Sequence, residues 1–233
     1  MKHIELIEEI KILKQLQCKS FLSHGAARMV FECPFSVIQM LNLEKTKDYV
    51  IKLAVGLGGF NQNQNELTCF NNAVENGIEC LAPIVAYGLY VEIMEAVQIP
   101  GEFRDFIDDC CDGGDVFNYC HEYEIDVSAE TCDDIYNAFE TLNEYFGYTS
   151  DNGQLGLLND GTVVAYDYGF FCDGDCCQTT PATEDMSCNE DCWNTYFEMI
   201  LENLIEAMED GQNYLTTEQA ANIADQCEDC LYL

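Results

Sequence analysis

Asp160-Gly161-Thr162-Val163-Val164-Ala165-Tyr166-Asp167-Tyr168-Gly169 is the stretch that limits most narrowly what this chain can become. Asp-Gly is a tight-turn dipeptide, and the run after it is rich in β-branched and aromatic residues, so the pattern predicts the second arm of a β-hairpin. Asp167 then stands just past the end of a buried strand. A carboxylate there can face a ligand while the sheet holds it still; the plainer reading is an acid that opens an ordinary turn.

The rest of the chain supplies a core for that hairpin. With 233 residues, 48% of them hydrophobic, it can bury one domain or two closely packed lobes. Residues 4–17 place Ile4, Ile7, Ile10 and Leu13 near helical spacing, with Glu8, Glu9, Lys11 and Lys14 elsewhere, which predicts an amphipathic helix. A small-residue turn over Ser23–Ala27 leads into a strand at Arg28–Glu32. A second strand, Tyr49–Val55, carries Lys52 in an otherwise apolar run, and a lysine in a buried strand is costly unless paired. Gly56, Gly58 and Gly59 read as a break before a helix over Asn63–Asn76, whose single early acid is Glu66. Two strands, Ile84–Gly88 and Tyr90–Met94, follow across a tight turn.

Beyond Pro100 the chain turns helical and acidic. Asp133–Phe146 sets Ile135, Phe139, Leu142 and Tyr145 on one face, and Trp193–Met208 does the same with Phe197, Ile200, Leu201, Leu204 and Ile205. A last helix over Thr217–Leu233 is capped by Thr216 or Thr217, with Glu218 and Gln219 in its first turn. The expected organisation is an N-terminal helix over 1–19, a β-rich lobe over 20–98, and an acidic, cysteine-rich, mainly helical lobe over 99–233. No run of eighteen apolar residues occurs, and charges interrupt the N-terminal apolar stretches where a signal peptide would need continuity. The expectation is a cytoplasmic protein that does not engage a membrane.

Charge is unevenly spread. The formal net charge is −34, yet all nine Lys and Arg lie between Lys2 and Arg104, and 31 of the 43 acids lie from Asp105 onward. Duplex DNA, RNA and anionic membranes are repelled by such a surface, so nucleic acid is not an expected direct partner. A basic protein partner or a divalent cation is attracted instead.

Fifteen cysteines is a high count for a reducing compartment. Cys18, Cys33, Cys69 and Cys80 sit alone among apolar residues and read as small buried hydrophobes. Cys172 with Cys176, and Cys188 with Cys192, have loose ligand-pair spacing for Zn²⁺, or for a disulfide, beside the plainer reading of reduced thiols.

Four separated pieces fit one mechanical scheme: a glycine-containing turn over phosphates, a strand lysine that reaches them, a helix acid that holds the lysine, and a metal-facing Asp. They are Leu22–Phe31 around Gly25, Tyr49-Val50-Ile51-Lys52, Glu66, and Tyr166-Asp167-Tyr168-Gly169. In this order the chain resembles the protein-kinase-like superfamily, and among its members the short kinase-like proteins encoded by bacteriophages. The resemblance implies an α+β, two-lobed fold with ATP and Mg²⁺ as cofactors. It implies Ser23, Gly25, Val30, Lys52, Glu66 and Glu95 as nucleotide-binding residues and Asp167 with Gln154 as metal ligands.

The departures are specific. Ser23 and Arg28 replace the first and third glycines of the family loop. Alignment on Gly161 and Asp167 puts Thr149 and Gln154 where the family has its catalytic Asp and metal-binding Asn. Asp151 and Asn152 lie two positions away, and Asp151 serves as base only if the loop is remodelled. Three functions follow as expectations. The first is a pseudokinase that binds nucleotide and regulates through protein–protein contact. The others are an active small Ser/Thr kinase using Asp151, and an acidic decoy for a DNA-binding host protein.

Overall fold

The structure, a computed structural model, describes residues 1–16, 21–24, 27–98, 129–146, 155–168 and 190–228. Its strands are β1 (Lys2–His3), β2 (Phe21–His24), β3 (Arg28–Glu32), β4 (Tyr49–Ala54), β5 (Ile84–Tyr87), β6 (Val91–Glu95), β7 (Leu155–Leu157) and β8 (Val163–Ala165). Its helices are α1 (Leu6–Leu13), α2 (Phe35–Leu41), α3 (Gly56–Asn76), α4 (Ala129–Phe146), α5 (Glu190–Glu209) and α6 (Thr217–Glu228). The α+β class expected from the sequence is found, with the larger sheet in the N-terminal region and helices dominating the C-terminal part. Among the described residues no helix is long and apolar enough to cross a membrane.

Contacts divide the chain into two compact units. Unit 1 is Met1–Gln64, Ile84–Met94 and Thr179–Leu233; unit 2 is Asn65–Pro83 and Glu95–Gln178. The N-terminal helix and the last two helices therefore share a unit, which differs from the linear division at 19 and 98 expected from composition.

Unit 1 is built on a six-stranded sheet in the order β1-β5-β6-β4-β3-β2. The two-residue β1 and the short α2 were not anticipated, each being too brief to show a period. In α1 the inward stripe is shifted from the one expected: Leu6, Ile10, Ile12 and Leu13 are buried, whereas Ile7 is 38% exposed. Glu9, expected in solvent, is fully buried. Its Oε1 accepts the N–H groups of Tyr90 (2.7 Å) and Val91 (3.0 Å), and its Oε2 accepts that of Leu89 (3.0 Å). Three successive backbone donors in a turn form a nest for an anion, and α1 fills it with a carboxylate.

The glycines expected to break the chain instead open α3, whose first residue is Gly56 at φ +62°. Gly59 is required by close approach: a Cβ there would lie 2.0 Å from the Ala27 carbonyl oxygen. Glu66 consequently sits in mid-helix rather than near its start. The Tyr196 hydroxyl of α5 accepts the Gly56 N–H at 2.8 Å and donates to the Ala54 carbonyl at 3.2 Å, serving one of the donors a helix N-terminus leaves open.

Along α5, Tyr196, Ile200 and Leu204 are buried, with Phe197, Leu201 and Ile205 packed partly against the same core. Burial of Ile200 and Leu204 contributes about 1.5–3 kcal/mol each. Helix α6 starts with a reciprocal cap, Gln219 N–H to Thr216 Oγ1 (3.2 Å) and Thr216 N–H to Gln219 Oε1 (2.9 Å), as its sequence predicts. Tyr90 donates its hydroxyl to the Ala220 carbonyl at 2.7 Å, fastening α6 to β6's approach.

Unit 2 contains the hairpin β7–β8, paired antiparallel as Leu155↔Ala165, Gly156↔Val164 and Leu157↔Val163. The Asp160-Gly161 turn forms as expected: Thr162 N–H bonds Asp160 Oδ1 at 3.0 Å, and Gly161 takes φ +89°. In α4 the inward residues are Ile135, Ala138 and Leu142. Tyr145, expected among them, is 54% exposed. It follows Leu142 by three residues, at the edge of the apolar stripe.

Candidate functional site

In unit 1, three of the expected nucleotide-binding residues fall in one row across the sheet. Ser23 of β2 pairs with Val30 of β3, and Val30 pairs with Lys52 of β4. Directly paired residues project to the same face, so Ser23, Val30 and Lys52 share one side of the sheet. Exposure falls along the row, from exposed Ser23 through half-buried Val30 to Lys52 at 5%. A long cationic side chain at the buried end of such a row is positioned by strand geometry rather than by a loop.

Sequence reasoning missed a buried polar chain in the same unit. Arg28, 4% exposed, donates from Nη1 to Asn63 Oδ1 at 3.4 Å, and Asn63 Nδ2 donates to the Tyr90 carbonyl at 3.1 Å. The visible signal was the place of Arg28 inside an apolar strand pattern.

In unit 2, Asp167 follows β8 and is half-buried, where the hairpin reading put it. The neighbouring Tyr168 is fully buried; its N–H bonds Glu66 Oε1 at 3.1 Å and its hydroxyl donates to the Ala82 carbonyl at 2.8 Å. Residues 80–82 run beside β8, with Ala82 N–H on the Ala165 carbonyl (2.8 Å) and Ala165 N–H on the Cys80 carbonyl (2.9 Å). Glu66 of α3 and the backbone just after Asp167 are thereby tied together. Glu95 ends β6, is 4% exposed, and gives its N–H to the Pro83 carbonyl at 3.0 Å.

Gly25, Asp151 and Gln154 lie outside the described residues, as do Thr149, Asn152 and the cysteines from Cys172 to Cys188. Among the described residues no three His, Cys, Asp or Glu side chains gather to hold a metal ion. Asp167 itself offers an oxygen ligand of the kind Mg²⁺ prefers.

Cys33, Cys69 and Cys227 are buried, and Cys80 is half-buried. Burial pushes the Cys80 thiol up to about 11 and the Cys33 thiol, which also faces Glu32, up to about 12. The thiolate is the reactive form. Iodoacetamide at pH 8 is therefore expected to alkylate Cys80 in the folded chain at least about tenfold more slowly than in the urea-unfolded chain. Equal rates measured by mass spectrometry would contradict the burial of this thiol.

No family model and no curated protein matches the chain. Among solved structures, the crystal structure of choline kinase LicA from Streptococcus pneumoniae aligns over 98% of each chain at 11% identity, with a TM-score of 0.32. A superposition that loose transfers neither a residue role nor a substrate.

Proposed function

We propose that this chain is a kinase-like, nucleotide-binding protein whose main role is regulatory, with phosphoryl transfer lost or greatly reduced. The row Ser23–Val30–Lys52 carries the reading, because it sets a hydroxyl, a branched apolar side chain and an ammonium on one face of a sheet. Those are the groups suited to a phosphate edge, an apolar base and a phosphate oxygen. Within unit 2, the bond from Tyr168 N–H to Glu66 restrains the backbone beside Asp167, whose carboxylate would be an oxygen ligand for Mg²⁺. Thr149 in the position of the family's catalytic Asp is the reason for placing binding ahead of catalysis.

Saturating ATP with Mg²⁺ is expected to raise the melting temperature by about 6 °C, the shift that about 2.7 kcal/mol of ligand stabilisation gives a chain of this size. Lys52→Met should abolish the shift while leaving the ligand-free chain folded. An unchanged melting temperature in the parent sinks the nucleotide reading.

A basic protein partner is the companion proposal, favoured by one feature of α5. Glu198, Glu202 and Glu206 are exposed at four-residue spacing, forming an acidic ridge. Partner capture should weaken steeply between low and half-molar salt.

A further inference from the structure

Tyr196 of α5 is fully buried, and its hydroxyl bridges the Gly56 N–H (2.8 Å) and the Ala54 carbonyl (3.2 Å), the two groups that flank Val55 where β4 passes into α3. Val55 N–H in turn bonds the Ala27 carbonyl at 2.8 Å. That carbonyl is the atom against which Gly59 packs, with no room for a Cβ. Ala27 leads into β3, so the end of β4, the first turn of α3 and the approach to β3 meet at one joint, and a side chain of α5 is seated in it.

The joint continues into the buried polar chain of the same unit. Ala54 N–H bonds the Tyr90 carbonyl at 2.8 Å, which also accepts Asn63 Nδ2 at 3.1 Å, and Asn63 Oδ1 accepts Arg28 Nη1 at 3.4 Å. Arg28 pairs with Ala54 and stands two positions from Val30, which pairs with Lys52, so these four residues share one face of the sheet. A buried network that is fully made holds its members in one arrangement, and it is costly to leave partly made. Lys52 is two residues before Ala54, so a shift of the Ala54 peptide displaces the base of the lysine side chain with it.

We propose that Tyr196 is a positioning residue through which α5 sets the affinity of the Lys52 face for the phosphates of a nucleotide. The inference rests on the nucleotide-binding reading above and adds a regulation of that site. The hydroxyl acts through the backbone of Ala54 and Gly56 and not on the ligand. A nucleoside, which has no phosphates, is indifferent to it. Linkage makes the effect reciprocal, so a phosphate-bearing ligand also steadies α5.

The test compares ATP with Mg²⁺ against adenosine on the full chain, by amide NMR titration for affinity and by hydrogen exchange with mass spectrometry for α5. Tyr196→Phe keeps the ring and removes the hydroxyl. It is expected to weaken ATP binding about tenfold, within the range of couplings that packed networks carry, and to leave adenosine binding unchanged. In the parent, ATP with Mg²⁺ should slow exchange over residues 196–205 of α5 and adenosine should not, a readout that stands even if the variant fails to fold. An equal loss of both ligands in the variant, or no loss of either, would reduce Tyr196 to a packing residue and overturn the inference while the nucleotide reading survives. So would equal protection of α5 by the two ligands. A parent that binds neither ligand removes the nucleotide reading itself, and this inference with it.

Discussion

Replacing Glu9 by Leu is expected to lower the unfolding free energy by about 4 kcal/mol, because three buried backbone donors lose their acceptors at once. The carboxylate is fully enclosed, and the N–H groups of Leu89, Tyr90 and Val91 all converge on it. Leucine fills the volume and accepts nothing. Glu9→Gln should fall between parent and Leu: its carbonyl oxygen can keep the Tyr90 and Val91 bonds, while its amide nitrogen meets the Leu89 N–H donor to donor. Urea denaturation of the three proteins decides it, and a loss below about 1 kcal/mol for the leucine variant would show that α1 is held by apolar packing alone. The pH dependence has a definite sign. Burial pushes the Glu9 carboxyl above its ordinary value of 4.5, and the three N–H bonds only partly pull it back. A folded-state value above the unfolded one means that this residue's contribution is full below the ordinary range and is lost as pH rises through the raised value. The parent's advantage over Glu9→Gln should thus narrow with rising pH.

Gly59→Ala is expected to destabilise by about 3 kcal/mol, the upper range for forcing an extra carbon into a packed site. Helix propensity alone predicts the opposite sign, since Ala is favoured over Gly by about 1 kcal/mol in a helix interior. The structure decides between them, because the added Cβ would meet a backbone carbonyl, Ala27, at 2.0 Å. That carbonyl cannot swing aside without breaking its bond from the Val55 N–H at 2.8 Å. A variant as stable as the parent would show that α3 can slide away from the β2–β3 connection. In that case the melting temperature, not the helix content, is the informative quantity.

What could be read from the sequence was whatever a few adjacent residues decide. The Asp160-Gly161 hairpin, the strand around Lys52, and the Thr216–Gln219 cap are local patterns, and all three were visible. Glu9 was not, because its partners are 80 to 82 positions away and nothing near it distinguishes a buried acid from a solvated one. The glycines at the start of α3 misled for a related reason: near a strand end they suggest a break, but Gly59 answers a carbonyl on another segment. The candidate site divides the same way. Lys52 and Asp167 could be placed from their own strands, whereas the Ser23–Val30–Lys52 row depends on register, and the link from Glu66 to Tyr168 spans 102 positions.

The Tyr196 hydroxyl, seated on Gly56 140 positions earlier, has a consequence for synthesis. At roughly 5–20 residues per second, a ribosome needs about 7–28 s to add that interval. From the completion of β6 onward the sheet of unit 1 waits with Ala54 and Tyr90 lacking their partners on α5 and α6. A nascent chain halted before α5 therefore presents an open apolar surface, and recruitment of a holdase chaperone should peak there and end once α6 has emerged.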